Sequence, residues 1–205
     1  MTTQWGNTFS QFFTGLSSKR WCVFPIKIES HNTTAITNFV HQNGTPQVIK
    51  SDNAQSELGH DWVEYMRKNY IGTKTTEPHH PHQNPAESEI GKLNSIVKKC
   101  QQFFNLPAKM HDRNQKWCVD CHNIAANHQL NWRPPLERSN ENTPDIAPFR
   151  FHIWEPFWYF VPTKPPDNCW KKESWLGFAP SCGDAMTSYI FILRKIHNKV
   201  AIWYY

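Results

Sequence analysis

The sequence predicts a mixed α/β domain followed by a small β-rich region, and three observations carry that expectation. Up to about residue 132, short apolar runs of strand character alternate with stretches of helical period. From Phe149 onward, short aromatic and β-branched runs dominate. Between them lies RPPLERSNENTPDIAP, Arg133 to Pro148, whose Pro, Asn and Ser content marks a linker. The expected division is therefore 1–132, 133–148 and 149–205.

The elements follow in order. WCVFPIKI, Trp21 to Ile28, reads as a strand, with only a weak strand signal before it near Phe12. Ala35 to His41 reads as a short helix stopped by Asn43-Gly44. PQVIK, Pro46 to Lys50, is a brief strand that delivers Asp52 just past its end. Ser56 to Tyr70 has helical period, with Leu58, Trp62, Tyr65 and Met66 on one face. IGTKTT, from Ile71, is strand-like, and the loop EPHHPHQNP follows.

The clearest helix comes next. Ala86, Ile90, Leu93, Val97, Cys100 and Phe104 draw one apolar stripe. Asn84 can cap it, Pro85 suits the first position, Glu87 completes a capping box and Pro107 ends it. A further helix is expected from about Lys109 to Gln129, with Trp117, Cys121, Ile124 and His128 on one side. Four strands are expected after the linker: Phe151 to Val161, Trp175 to Phe178, Thr187 to Leu193 and Val200 to Tyr204.

Composition narrows the function classes. Ten Trp and thirteen Phe in 205 residues supply ample burial and exclude a mostly disordered chain. The longest apolar runs are too short for a membrane span. MTTQWGNTFSQFF has no basic leader with an apolar core, so an intracellular location is expected, nuclear in a eukaryotic host. Six cysteines (Cys22, Cys100, Cys118, Cys121, Cys169 and Cys182) without such a signal are expected as thiols. The net charge of +5 suits a polyanionic partner.

Asp52 at a strand end and Glu87 in a helix's first turn, with 34 residues between them, are of the kind that converge on one metal. Mg²⁺ takes hard oxygen ligands and keeps open positions for phosphate. Taken singly, each has a plainer role: Asp52-Asn53 is turn chemistry and Glu87 is a capping acid.

The surrounding words add a resemblance. GTPQVIKSDNAQSE and TEPHHPHQNPAESEIGKLN are similar to the second and third acid motifs of retroelement integrases, in the copia-type version. The matching residues are Gly44, Pro46, Ser51, Asp52, Asn53 and Glu57, then Pro78, Pro81, Gln83, Asn84 and Glu87. NTPDIAPFRFHIWEPFWYF and WLGFAPSCGDAMTSYIFIL resemble the segment downstream of the core in copia-type polyproteins. The resemblance implies an RNase H-like core, a mixed sheet flanked by helices, that joins element DNA ends to target DNA using Mg²⁺ or Mn²⁺. It implies Asp52 and Glu87 as catalytic and metal-holding residues, DNA as partner, and a homo-oligomer.

One departure stands out. The family's first acid lies in a word like W-x-D-T-x-F, and the matching word here is Trp5-Gly6-Asn7-Thr8-Phe9. Asn7 is neutral and cannot replace a bridging carboxylate. Only 44 residues separate it from Asp52, where the family places two further strands and a helix, so a truncated early hairpin is expected. The functional expectation is an integrase-like nucleic-acid-binding protein of a retrotransposon, catalytically impaired. The alternative is a non-catalytic nucleic-acid-binding module or a relic without selected activity.

Lys92, Lys98 and Lys99, on the polar side of the long helix, are the candidate phosphate contacts. Cys118-Val-Asp-Cys121-His122 also spells the haem-attachment word, and His79, His80 and His82 with those cysteines could in principle bind zinc. A helical core is the stronger reading of the first, and a variable loop that of the second.

Overall fold

The computed structural model describes residues 3, 6–51, 59–75, 85–160, 169–179 and 187–191. The fold opens with an antiparallel hairpin, β1 (Phe9–Thr14) and β2 (Trp21–Ile26), paired in register from Phe9–Ile26 to Thr14–Trp21. The weak strand signal near Phe12 is therefore a full strand, β1, paired along its length with β2. It shows weakly in the sequence because FSQFFT does not alternate apolar and polar residues. The reason is that both faces are covered. Phe12, Trp21 and Val23 join a core with the later helices, whereas Phe13 packs with Phe24, Phe39 and the opposite core.

α1 (Asn32–Asn43) follows, longer than expected, and stops where Gly44 takes a φ of 82°. Next comes a parallel unit: β3 (Val48–Ser51), α2 (His60–Lys68) and β4 (Gly72–Thr75), with Val48 opposite Gly72 and Ser51 opposite Thr75. A helical crossover is what lets two such strands run in parallel. Trp62 and Met66 of α2 are buried with Ile36 of α1 and Ile71.

α3 (Pro85–Phe103) matches its stripe, but only Leu93, Val97 and Cys100 are fully buried, while Ile90 at its open end is partly exposed. α4 (His111–Ile124) departs from expectation. It ends five residues early, and the stripe Trp117, Cys121, Ile124 and His128 is not its buried face. The buried residues are Asp112, Asn114, Gln115, Cys118, Val119 and Asn123.

Those polar residues are satisfied by named partners. Asn123 accepts from the Trp21 amide and donates to the Trp21 carbonyl, both at 2.8 Å. It closes the outer edge of β2 as a neighbouring strand would. Asn114 donates to the Val97 carbonyl of α3 at 2.8 Å, and the Ser10 hydroxyl of β1 donates to Gln115 at 2.8 Å. Buried polar groups persist where such partners exist.

Residues 133–148, expected as a linker, hold α5 (Pro135–Asn140), with Pro135 buried at the first helical position. The C-terminal sheet runs β5 (Pro156–Phe160), β6 (Trp170–Phe178) and β7 (Ser188–Phe191), all antiparallel in that order. β6 starts five residues before the expected strand, because the polar run WKKES alternates faces as well as an apolar one does. Ile153 and Leu176 from this region sit in the same buried cluster as Trp21, Leu93 and Val119. The expected strand at Val200 to Tyr204 lies outside the described residues.

Asn123→Ala leaves a buried N–H and C=O without partners, each costing about 1–3 kcal/mol. The expected result is a fall in Tm of roughly 4–24 °C, from two such groups at 2–4 °C per kcal/mol for a chain of this size. Thermal melts of wild type and variant check it, and an unchanged Tm would remove the edge-closing role.

Candidate active-site cleft and the acids around it

A cleft of about 1110 Å³ is bordered by β1, by Pro46 to Ser51, by Lys74 and Thr75, and by Pro85, Ala86 and Ile90 at the start of α3. The ends of β3 and β4 and the first turn of α3 therefore converge on one depression. Parallel strands with a helix crossover put their carboxyl ends together, which is where open α/β sheets place ligands. Glu87 is exposed in that first turn of α3. Asp52 follows Ser51 directly in the sequence and lies outside the described residues, as do His79, His80 and His82.

Asn7 is held elsewhere. It precedes β1, in no strand, and its amide donates to the Asp112 carboxylate of α4 at 2.8 Å. The Thr3 hydroxyl donates to the same oxygen at 2.7 Å, and the Asn7 N–H donates to the Thr3 hydroxyl oxygen at 3.1 Å. Asp112 is 6% exposed. A neutral donor at position 7 thus satisfies a buried acid, a role the sequence did not disclose, because Asp112 lies 105 residues away.

The candidate lysines do not form one patch. Lys92 pairs with Glu89 at 2.7 Å, and Glu89 also accepts from the Trp21 indole at 3.1 Å. At 100° per residue, Lys92 and Lys99 lie on one line of α3, and Lys98 lies roughly a third of a turn away. All three are exposed.

A second depression, about 870 Å³, lies beside Lys92 and is lined by Lys19, Trp21, Glu89, Gly91, His122 and His128, among others. The His122 ring stacks on Trp21 at 3.5 Å and 7°, with Nε2 at 3.1 Å from the Lys19 carbonyl oxygen. Burial pushes the imidazole below its usual range, aided by Lys92, while the Lys19 carbonyl and Glu89 push the other way.

Cys100 and Cys118 are buried in the core, and Cys121 is half-buried. Cys118 is buried and its thiol is raised by a hydrogen bond with Cys100 and by burial. Cys121 is pushed up to about 12 by burial, then by Asp120 and Cys100. Among the described residues, no group of three or more His, Cys, Asp or Glu side chains is placed to hold a metal ion. Of the haem-attachment word, Cys118 packs in the core with Leu93, Val97 and Val119. No described helix is long and apolar enough to cross a membrane.

The fold is that of retroviral integrase catalytic cores. A chain in the cryo-EM structure of the simian T-cell lymphotropic virus intasome in complex with PP2A regulatory subunit B56 gamma matches with a TM-score of 0.57 at 16% identity. That match covers 88% of this chain, which spans 65% of the length of the other. The HTLV-2 integrase catalytic core domain in complex with magnesium, in its trimeric form, matches at 0.52 and 16%, over 64% of this chain and 93% of that one. The catalytic core domain of BIV integrase matches at 0.54 and 16%, over 64% and 85%. At that identity the likeness is one of fold. No protein-family model matches the chain, and no curated protein matches it in sequence.

His122 generates a pH prediction. Its folded pKa lies below the unfolded value near 6.5, so its stabilising contribution is complete when the ring is neutral in both states. Below about pH 6.5 the unfolded chain takes up a proton that the folded ring refuses, and stability falls as pH falls. Urea unfolding at pH 7.5 and pH 5.5 is expected to show a larger loss for wild type than for His122→Gln. Equal losses would remove His122 from the pH response.

Proposed function

We propose that this chain is an integrase-like, DNA-binding protein of a copia-type retrotransposon, with an RNase H-like core over residues 1–132 and a β-rich region over 149–205. Strand transfer is impaired in this reading. The observation that supports it is the convergence of the β3 and β4 ends with Pro85, Ala86 and Ile90 of α3 on one cleft. Glu87 is exposed in that same first turn, and Asp52 follows Ser51 in the sequence. The impairment rests on Asn7, whose amide is committed to Asp112.

Asp52 and Glu87 are hard oxygen donors of the kind Mg²⁺ or Mn²⁺ takes, and they are the residues that would hold it. The HTLV-2 core is described in complex with magnesium, which supports the choice of ion. A bound ion would stabilise the charge on the attacking and leaving oxygens of a phosphodiester displacement. A two-acid set lacks the third carboxylate, and losing even an indirect partner of a metal site costs about 10–100-fold. Lys92, Lys98 and Lys99 supply phosphate contacts. The HTLV-2 core has trimeric and dimeric forms, and a homo-oligomer is the matching proposal here.

Two measurements test this reading. In a strand-transfer assay with a labelled DNA end and Mg²⁺ or Mn²⁺, wild type yields no product, and neither does Asn7→Asp. That substitution sets a second carboxylate beside buried Asp112 and removes a charge-assisted hydrogen bond, so its Tm drops below that of wild type. Product from the unmodified chain would overturn the impairment. In filter binding with duplex DNA, three phosphate contacts give a slope near −3 in log K against log salt. Between 50 and 200 mM salt this is on the order of a 40-fold loss. Salt-independent binding, or none at 50 mM, would remove the DNA-binding half of the reading.

A further inference from the structure

The C-terminal sheet presents an aromatic face that neither the cleft nor the core uses. Along β5, Phe157 and Tyr159 turn inward and are buried, so Trp158 and Phe160 turn outward, each 54% exposed. Cross-strand partners share a face, and the register pairs Trp158 with Lys172 and Phe160 with Trp170, the latter 55% exposed. The Phe160 and Trp170 rings meet edge to face at 5.5 Å. Lys171, next along β6, is exposed as well, and the one acid of the run, Glu173, pairs with Phe157 on the inner face. Three large rings and a lysine on one strand pair make a surface that is apolar in its planes and cationic beside them.

We propose that this face binds unpaired nucleic acid by stacking bases on Trp158, Phe160 and Trp170, with Lys172 on the phosphate backbone. Two features of the sheet select a single strand over a duplex and over a protein partner. Residues two apart on a strand are about 6.8 Å apart. That is about twice the 3.4 Å rise of one strand of a duplex. Bases must therefore be splayed to reach successive rings, which a duplex forbids and a single strand allows. Lys172 beside the rings complements a phosphate backbone, where an apolar protein surface would leave it buried without a partner. Stacking platforms of this composition accept any base, because every base has a π-face. The site is built on β5 and β6, whereas Glu87, Lys92, Lys98 and Lys99 belong to α3, so it does not rest on the integrase reading.

The test uses the full chain, a fluorescein-labelled twelve-residue oligo(dT) and its duplex with oligo(dA), read by anisotropy. Trp158→Ala and Trp170→Ala are each expected to weaken oligo(dT) binding about tenfold while leaving duplex binding unchanged. Trp158→Phe keeps most of the affinity, because it keeps a ring. Lys172→Glu weakens oligo(dT) binding and lowers its salt slope by about one. Lys98→Glu with Lys99→Glu does the reverse, weakening duplex binding and sparing oligo(dT). If duplex binding is absent while oligo(dT) binding depends on the rings, the proposed function fails and this site stands. Equal losses for single and double strands on changing the rings, or no loss, would overturn the site. So would sedimentation showing that Trp158→Ala dissolves a dimer with oligo(dT) affinity intact, since the face would then belong to a second copy. Because the rings are exposed, the variants are expected to melt as wild type does, and Lys172→Glu gives an independent reading should a ring variant misfold.

Discussion

The polar face of α4 is the constraint on which the other elements depend. A helix packed into a core ordinarily offers apolar residues, but α4 lies where it must meet backbone: the outer edge of β2 and the carbonyl of Val97. Strand edges carry N–H and C=O groups that cost free energy if buried without partners. Asn123 supplies both an acceptor and a donor to Trp21, while Asn114 and Gln115 reach α3 and β1. Cys118 and Val119, between them, carry the apolar contact. Removing the polar groups would leave the hairpin edge unsatisfied, and removing the apolar ones would open the core.

The same helix decides what happens at position 7. Asp112, on α4's first turn, collects the Asn7 amide and the Thr3 hydroxyl. An asparagine there is more than a missing acid, since its N–H₂ is what a buried carboxylate requires. A carboxylate at that position would face another across the same gap. The cleft at the start of α3 is thereby separated, in chemistry and in hydrogen bonding, from the residue that the motif spacing assigned to it.

The sequence made some of this legible and concealed the rest for identifiable reasons. α3 could be read because its stripe follows helical period and its start carries Pro85 and Glu87. β3, α2 and β4 could be read because short apolar runs alternate there with helical spacing. β1 was nearly invisible, since a strand covered on both faces loses its alternation. The buried face of α4 was misassigned, because Asn, Gln and Asp satisfied by distant backbone look like solvent-facing residues until those partners are known. The acids Asp52 and Glu87 came from motif words, and Glu87 is exposed in the first turn of α3. The role of Asn7 depended on a partner more than a hundred positions away, which no local pattern reports.

Asn7 serves a buried acid on α4. A double-mutant cycle measures this directly, comparing unfolding free energies of wild type, Asn7→Ala, Asp112→Ala and the double variant. The expected coupling is about 1.5–3 kcal/mol, the range for a hydrogen bond to a charged group. Additive effects, with a coupling near zero, would contradict it and return Asn7 to the cleft.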